Sequence, residues 1–200
     1  MIKQQDYNLP DQLLLNKGKS GIQVWKPDKI YVILGQRDNI NDAIELEPSM
    51  NDGVIVMQRP SGGHSVVLTP KMIVVSMISS QYSLSLIKSF FHDCNMIIIN
   101  SLEAQGVHGL SIKGISDIVL NGRKIVGSSM YKGKDFLFFH AVVNVAESVE
   151  TISKYLKHPM TEPEYRKGRN HLEFITSLAA ENYQIDEKKL ISSLNSLKMN

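Results

Sequence analysis

Lys124 stands just past Asn121-Gly122, a dipeptide that favours the two-residue turn of a β-hairpin, and the small residues Gly127, Ser128 and Ser129 follow it. A lone lysine with room beside it suits an activated carboxylate or a phosphate, because an ammonium stabilises the charge that develops there. A second anion-friendly stretch is Arg59-Pro60-Ser61-Gly62-Gly63-His64-Ser65. Adjacent glycines let backbone N–H groups converge on an anion with no Cβ in the way. Arg59 adds a planar fork that matches phosphate or carboxylate. The stretch is neither a Walker A sequence nor a G-x-G-x-x-G fingerprint. Together the two segments point to a site for a nucleotide and an acyl group. Taken singly, each also reads as an ordinary Gly-rich loop or an exposed lysine.

The hairpin makes the geometry concrete. With Asn121 and Gly122 as the loop, Leu120 pairs with Arg123, Val119 with Lys124, Ile118 with Ile125 and Asp117 with Val126. Alternation then sends Ile118, Leu120 and Ile125 to one face. Asp117, Val119, Lys124, Val126 and Ser128 share the other. Asp117 and Lys124 become diagonal neighbours, roughly 7 Å apart between Cα atoms. A carboxylate there keeps the ammonium charged and narrows its rotamers. The same spacing also fits a surface ion pair, which contributes little.

Positioning these residues needs a sheet. Strands are expected at 22–25, 30–34, 53–58, 66–68, 72–78, on either side of Asn121-Gly122, and at 136–145. Pro27 and Asp28 suggest a hairpin between the first two. Residues 84–105 change period. Ile87, Phe90, Phe91, Cys94, Ile97, Ile98 and Leu102 recur at three and four, a helical stripe that Gly106 ends. Thr161-Glu162-Pro163-Glu164 has the form of a capping box, Phe174 and Leu178 continue an apolar face, and Asp186 caps a last helix through 197. Strands first and helices last is an α+β order, which argues against a Rossmann sheet.

Two hundred residues, 42% of them hydrophobic, suit one domain with a real core. A net charge of +2 with no basic block argues for neither nucleic acid nor a membrane surface as partner. No apolar run approaches the roughly 18 residues that span a bilayer, and the first twelve residues hold no signal core, so a cytoplasmic setting is expected. One cysteine, Cys94, excludes an internal disulfide and reads as a buried structural thiol on the helical stripe. His92, His108, His158 and His171 show no metal-binding spacing. Glu164, Tyr165, Arg166 and Arg169 read as a solvated helix start.

Residues 20–180 resemble the lipoate–protein ligase and biotin/lipoyl ligase superfamily. That family carries R-x-S-G-G-G-x-V and, some sixty residues on, N-D-hydrophobic followed by G-x-K-hydrophobic-x-G-S-A. The matching stretches are Arg59 to Val66, Ser116-Asp117-Ile118-Val119, and Gly122-Arg123-Lys124-Ile125-Val126-Gly127-Ser128-Ser129. Phe139-His140-Ala141-Val142 looks like the strand that follows, and Val24-Trp25 with Val32 to Gly35 like the family's first hairpin. His64 replaces the third glycine, Ser116 the asparagine, and Ala141 the glycine after His140.

The resemblance implies an α+β fold, a curved mixed β-sheet flanked by helices, related to class II synthetase cores. It implies one catalytic domain over residues 1–200, with the accessory C-terminal domain separate or absent. It implies ATP-dependent activation of lipoate or octanoate to acyl-AMP, then transfer to a lysine of an acceptor lipoyl domain, such as a 2-oxoacid dehydrogenase E2 or a glycine cleavage H protein. Lys124 would hold the acyl carbonyl and phosphate oxygens. Arg59, Ser61, Gly62, Gly63, His64, Gly127, Ser128, Ser129 and His140 would line the acyl-adenylate site, and Asp117 would orient Lys124 or bind Mg2+ or adenosine. An octanoyltransferase on the same fold, or a homologue that binds without catalysis, are the competing expectations.

Overall fold

The computed structural model describes residues 2–81 and 86–199. In chain order its elements are β1 (Gln4–Asp6), α1 (Gln12–Lys17), β2 (Gly21–Trp25), β3 (Tyr31–Leu34), α2 (Ile40–Ala43), α3 (Leu46–Asn51), β4 (Ile55–Gln58), β5 (Val66–Leu68) and β6 (Met72–Ser79). There follow α4 (Ile87–Glu103), β7 (Leu110–Lys113), β8 (Asp117–Leu120), β9 (Arg123–Lys132), β10 (Leu137–Asn144), α5 (Val149–Tyr155), α6 (His171–Phe174) and α7 (Glu187–Ser196). The start of the stripe expected from residue 84 lies partly outside the described residues.

The architecture is α+β, with the strands divided between two sheets. One is antiparallel, in the order β2-β6-β10-β9-β8-β7; the other is mixed, in the order β1-β4-β3-β5. Strand β6 is buried along its whole length, which fits its unbroken apolar run. Its odd-numbered residues Ile73, Val75 and Met77 join Phe139, Ala141 and Val143 of β10 under α4 and α7. Phe90, Cys94, Ile98 and Leu102 of α4 close that side, at the three- and four-residue spacing that puts them on one face.

The other face of the same sheet looks at β3, β4 and β5, and its rows build the site. Cross-strand pairing sets Ser76, His140 and Ser129 in one row. Two residues along, Val74, Val142, Gly127 and Asp117 form the next. Met72 and Asn144 make a third. One sheet therefore presents a polar row, then an apolar row ending in Asp117, to the space between the sheets.

Three local expectations are corrected. The runs at 22–25 and 30–34 do not pair; β2 joins β6 and β3 joins β4 and β5, so the chain crosses between sheets at Lys26–Ile30. The β8–β9 register holds at Leu120 with Arg123 and Val119 with Lys124, then slips, so Ile118 pairs with Val126 and Asp117 with Gly127. Ile125 is the extra residue of a β-bulge. Both Ile125 and Val126 turn into the core, which keeps apolar surface from water and brings Gly127 to the Lys124 side. The expected capping box at residue 161 is instead a 3-10 turn at Glu164–Arg166; the capping box forms between Asn170 and Glu173 at α6. Asp186 does cap α7, accepting from the Lys189 amide.

Candidate active site

Lys124 and the glycine bend meet across one cleft. The ammonium lies 2.7 Å from Asp117 Oδ1, with the lysine side chain 28% exposed and the carboxylate nearly buried. Gly127 makes this geometry possible. A Cβ built there falls 2.6 Å from Lys124 Cε and 2.8 Å from its Nζ, so the lysine stem lies over bare backbone. Asp117 accepts on its other oxygen from the Tyr165 hydroxyl at 2.7 Å, and Ser116 Oγ lies 3.3 Å from Oδ1. The backbone of Lys124 is held as well, its carbonyl accepting from Thr176 N at 2.9 Å.

The bend is built around Arg59. The guanidinium is buried and donates to Ser61 Oγ, the Ile33 carbonyl, and the carbonyls of Gly62 and His64. Burial lowers its pKa to about 10, against the opposing charge of Asp38. Arg59 thus supports the loop rather than presenting a free fork, a correction to the expected bidentate contact. A trans peptide points its N–H away from its C=O. The amides of Gly63 and Ser65 therefore face away from the guanidinium, and Gly63, His64 and Ser65 line the cleft. Ser129 Oγ ties the bend to β9 by donating to the Gly62 carbonyl at 2.5 Å. Gly63 needs its positive φ of 79°, and Gly35 must lack a side chain because a Cβ there would sit 1.9 Å from the Gly63 carbonyl oxygen.

Behind the bend a polar chain runs into the protein. Ser61 Oγ lies 2.6 Å from His140 Nε2, and His140 Nδ1 lies 3.7 Å from Asp11 Oδ2. Asp11 accepts from Tyr7 and from Ser76. Burial raises the Asp11 carboxyl, but its partners, His140 first, outweigh that and hold it low. Burial is also the main reason the His140 pKa is lowered. With His140 neutral and its proton on Nδ1 towards Asp11, Ser61 donates to Nε2 and accepts from Arg59. Serine, histidine and aspartate stand in the order of a hydrolytic triad. Ser61 is 1% exposed and turned away from the cleft, so the chain braces the loop instead of supplying a nucleophile.

The cleft has a volume of about 580 Å³. Its walls are apolar where the sheets face each other, at Ile33, Val67, Val74 and Val142, and at Ile152 of α5, and polar where Lys124, Asp117 and the bend converge. His64 reaches across the mouth to Thr161 Oγ1 at 3.2 Å. Ser128 lines the wall and donates to the Ser116 carbonyl. Cys94 is buried in the core on the far side of the six-stranded sheet, where burial raises its pKa, so it offers no thiolate. Asp117 holds donors on both oxygens, Lys124 and Ser116 on Oδ1 and Tyr165 on Oδ2, which fits the expected role of orienting Lys124. Among the described residues no cluster of three or more His, Cys, Asp or Glu side chains could hold a metal ion. No described helix is long and apolar enough to cross a membrane.

Residues 8–195 match the model of the lipoyl protein ligase A/B catalytic domain. The chain belongs to that family. Lipoate–protein ligase 1 of Plasmodium falciparum is 26% identical over 133 residues, 66% of this chain. The chain covers only 31% of that relative's length. Among solved structures, a bi-partite lipoate protein ligase of Thermoplasma acidophilum, described with its E2 lipoyl domain, aligns with a TM-score of 0.76 at 18% identity, over 96% of this chain and 78% of that one. A lipoate-protein ligase A bound with ATP aligns with a TM-score of 0.73 at 17% identity, over 97% of this chain and 81% of that one. These likenesses bear out the α+β fold expected of a lipoyl ligase catalytic domain.

Sequence reading placed Lys124, Asp117, Gly127, Gly63 and His64 in segments that do converge. It missed Asp11 and Tyr7, which lie in an N-terminal stretch with no motif. It also missed Tyr165, which it placed with Arg166 and Arg169 on a solvated helix face. Arg166 is in fact 5% exposed and stacks on Phe174, with its charge centre 4.6 Å from the ring centroid. His171, also missed, lines the cleft near Lys124 and is lowered to about 4, first by burial and then by the charges of Arg166, His158 and Lys124.

Proposed function

We propose that this domain is a lipoate–protein ligase: it joins lipoate or octanoate to AMP and passes the acyl group to a lysine of an acceptor lipoyl domain. One observation carries the reading. A single cleft has apolar walls between two sheets and, at one end, an ammonium group fixed by a buried carboxylate beside a glycine bend. An acid with a hydrocarbon tail and an adenylate head has the same polarity.

The acyl chain would lie along Val74, Val142 and Ile33, burying apolar surface worth roughly 25 cal/mol per Å². The carboxylate oxygen attacks the α-phosphorus of ATP and pyrophosphate leaves. Lys124, with the outward amides of the bend, stabilises the charge on the acyl and phosphate oxygens. The neutral ε-amine of the acceptor lysine then attacks the acyl carbonyl, AMP leaves, the nitrogen gives up one proton to water, and an amide forms. Aligning tail and head in one cleft supplies much of the rate. Lipoyl domains of E2 or H-protein type are the acceptors this reading names; the archaeal structural relative is a ligase studied with its own E2 lipoyl domain.

Mass spectrometry of a purified lipoyl domain, incubated with this protein, ATP and lipoate or octanoate, tests the assignment. The acceptor is expected to gain the mass of the acyl group only when ATP is present. Acyl transfer from an octanoyl carrier protein without ATP would replace the ligase by a transferase.

A further inference from the structure

Asp117 is shared. Lys124 takes one oxygen and the Tyr165 hydroxyl takes the other, each at 2.7 Å, and the carboxylate is 4% exposed. Ser116 Oγ also donates to Oδ1, at 3.3 Å; Tyr165 holds the other oxygen and so stops the carboxylate turning about its side-chain torsion. Tyr165 is rigid because its own turn is tied to itself. Arg169 Nη2 donates to the Tyr165 carbonyl, Arg169 Nε to the Arg166 carbonyl, and Arg166 Nε to the Arg169 carbonyl. Gly168 N donates to Glu162 Oε1 at 2.6 Å, and Lys167 takes the left-handed conformation that closes the turn. The Tyr165 ring rests on Phe174, centroids 5.2 Å apart, and Phe174 in turn carries the Arg166 and Arg169 guanidinium groups. The same turn reaches the hairpin tip, where Arg169 Nη1 donates to the Gly122 carbonyl at 3.2 Å.

From this geometry we infer that Tyr165 is a positioning residue for Lys124: its hydroxyl fixes the Asp117 carboxylate, which fixes the direction of the ammonium over Gly127. It touches no reacting atom. The inference deepens the ligase reading for the catalytic step but rests on its own contacts for the ordering of Lys124. Burial, with the Asp117 charge next, raises the Tyr165 pKa, so the phenol stays a donor.

Tyr165→Phe keeps the ring and deletes only the hydroxyl. The test uses the full chain and two readouts. The first is the rate at which acetic anhydride acetylates Lys124 at fixed pH, by peptide mass spectrometry, against Lys132 and Lys134 as exposed controls. The variant should change the Lys124 labelling rate by at least about threefold with the controls unchanged, since the anhydride reacts only with the neutral amine, whose fraction and exposure depend on how Asp117 holds the ammonium. The second is a double-mutant cycle with Asp117→Asn, using lipoate and ATP. Tyr165→Phe alone should lower kcat about tenfold with little change in KM, and should add almost nothing once Asp117 is asparagine. Unchanged labelling of Lys124, or fully additive losses in the cycle, would overturn the role. Altered Lys124 labelling in the variant, beside a wild-type protein that forms no acyl-AMP, would instead sink the ligase reading and leave the positioning intact. Circular dichroism and melting of Tyr165→Phe near the wild-type values confirm that the comparison is of folded proteins.

Discussion

Gly127 owes its identity to the lysine lying across it. Any Cβ at this position meets Lys124 Cε and Nζ inside contact distance, and both atoms belong to a flexible side chain. Gly127→Ala should therefore cost little stability, under about 1 kcal/mol, yet turn the ammonium out of line and cut acyl-AMP formation at least tenfold. Equal activity in the alanine variant, measured by acyl-AMP production, would show that Lys124 tolerates another path. Gly35 is the opposite case. Its neighbour is the Gly63 carbonyl oxygen, a backbone atom that cannot swing aside. Gly35→Ala should lower stability by about 1–3 kcal/mol in urea denaturation and displace the bend; a midpoint within error of wild type would contradict the close packing of β3 on that loop.

At the level of elements, the β8–β9 hairpin is stapled to the segment after α6. Glu181 accepts from Asn121, Arg123 and Thr176, with its side chain 7% exposed. These partners outweigh the effect of burial and lower its carboxyl pKa. Glu181→Ala should destabilise by about 1–3 kcal/mol, read as a shift in denaturation midpoint, because it leaves the buried Thr176 hydroxyl and the half-buried Arg123 without their acceptor. No shift would mean that the staple is a surface contact only. The hairpin itself was legible, since Asn121-Gly122 between apolar runs specifies a turn by local chemistry; Asn121 does adopt a φ of 52° and Gly122 one of 76°. The bulge at Ile125 was not legible. Two-residue alternation would have put Val126 beside Lys124, and only the core under α4 decides that Val126 turns inward. The false hairpin at Pro27 failed for a related reason. A turn signal says where a chain bends, but long-range pairing with β6 and β4 decides which sheet each arm enters. The Asp11–His140–Ser61 chain draws on α1, β10 and the glycine bend, so no local spacing announces it.

For the whole molecule, pH links the cleft to stability. His171 is neutral in the folded protein with its pKa depressed to about 4, chiefly by burial, against about 6.5 for a free histidine. Its contribution is complete above the free value and is lost as pH falls towards 4. His140, lowered by burial, acts in the same sense. Melting temperature should therefore drop between pH 6.5 and 4, and His171→Gln should make the drop shallower. A variant that melts in parallel with wild type across that window would remove His171 from the linkage. The cleft between the sheets is the feature that both the stability and the chemistry depend on, and Lys124 is its decisive charge. The direct measurement is lipoate- or octanoate-dependent exchange of labelled pyrophosphate into ATP, by wild type and by Lys124→Ala. Wild type should exchange, and the variant should fall by about a hundredfold or more while keeping its fold. Exchange by Lys124→Ala at the wild-type rate would contradict the account.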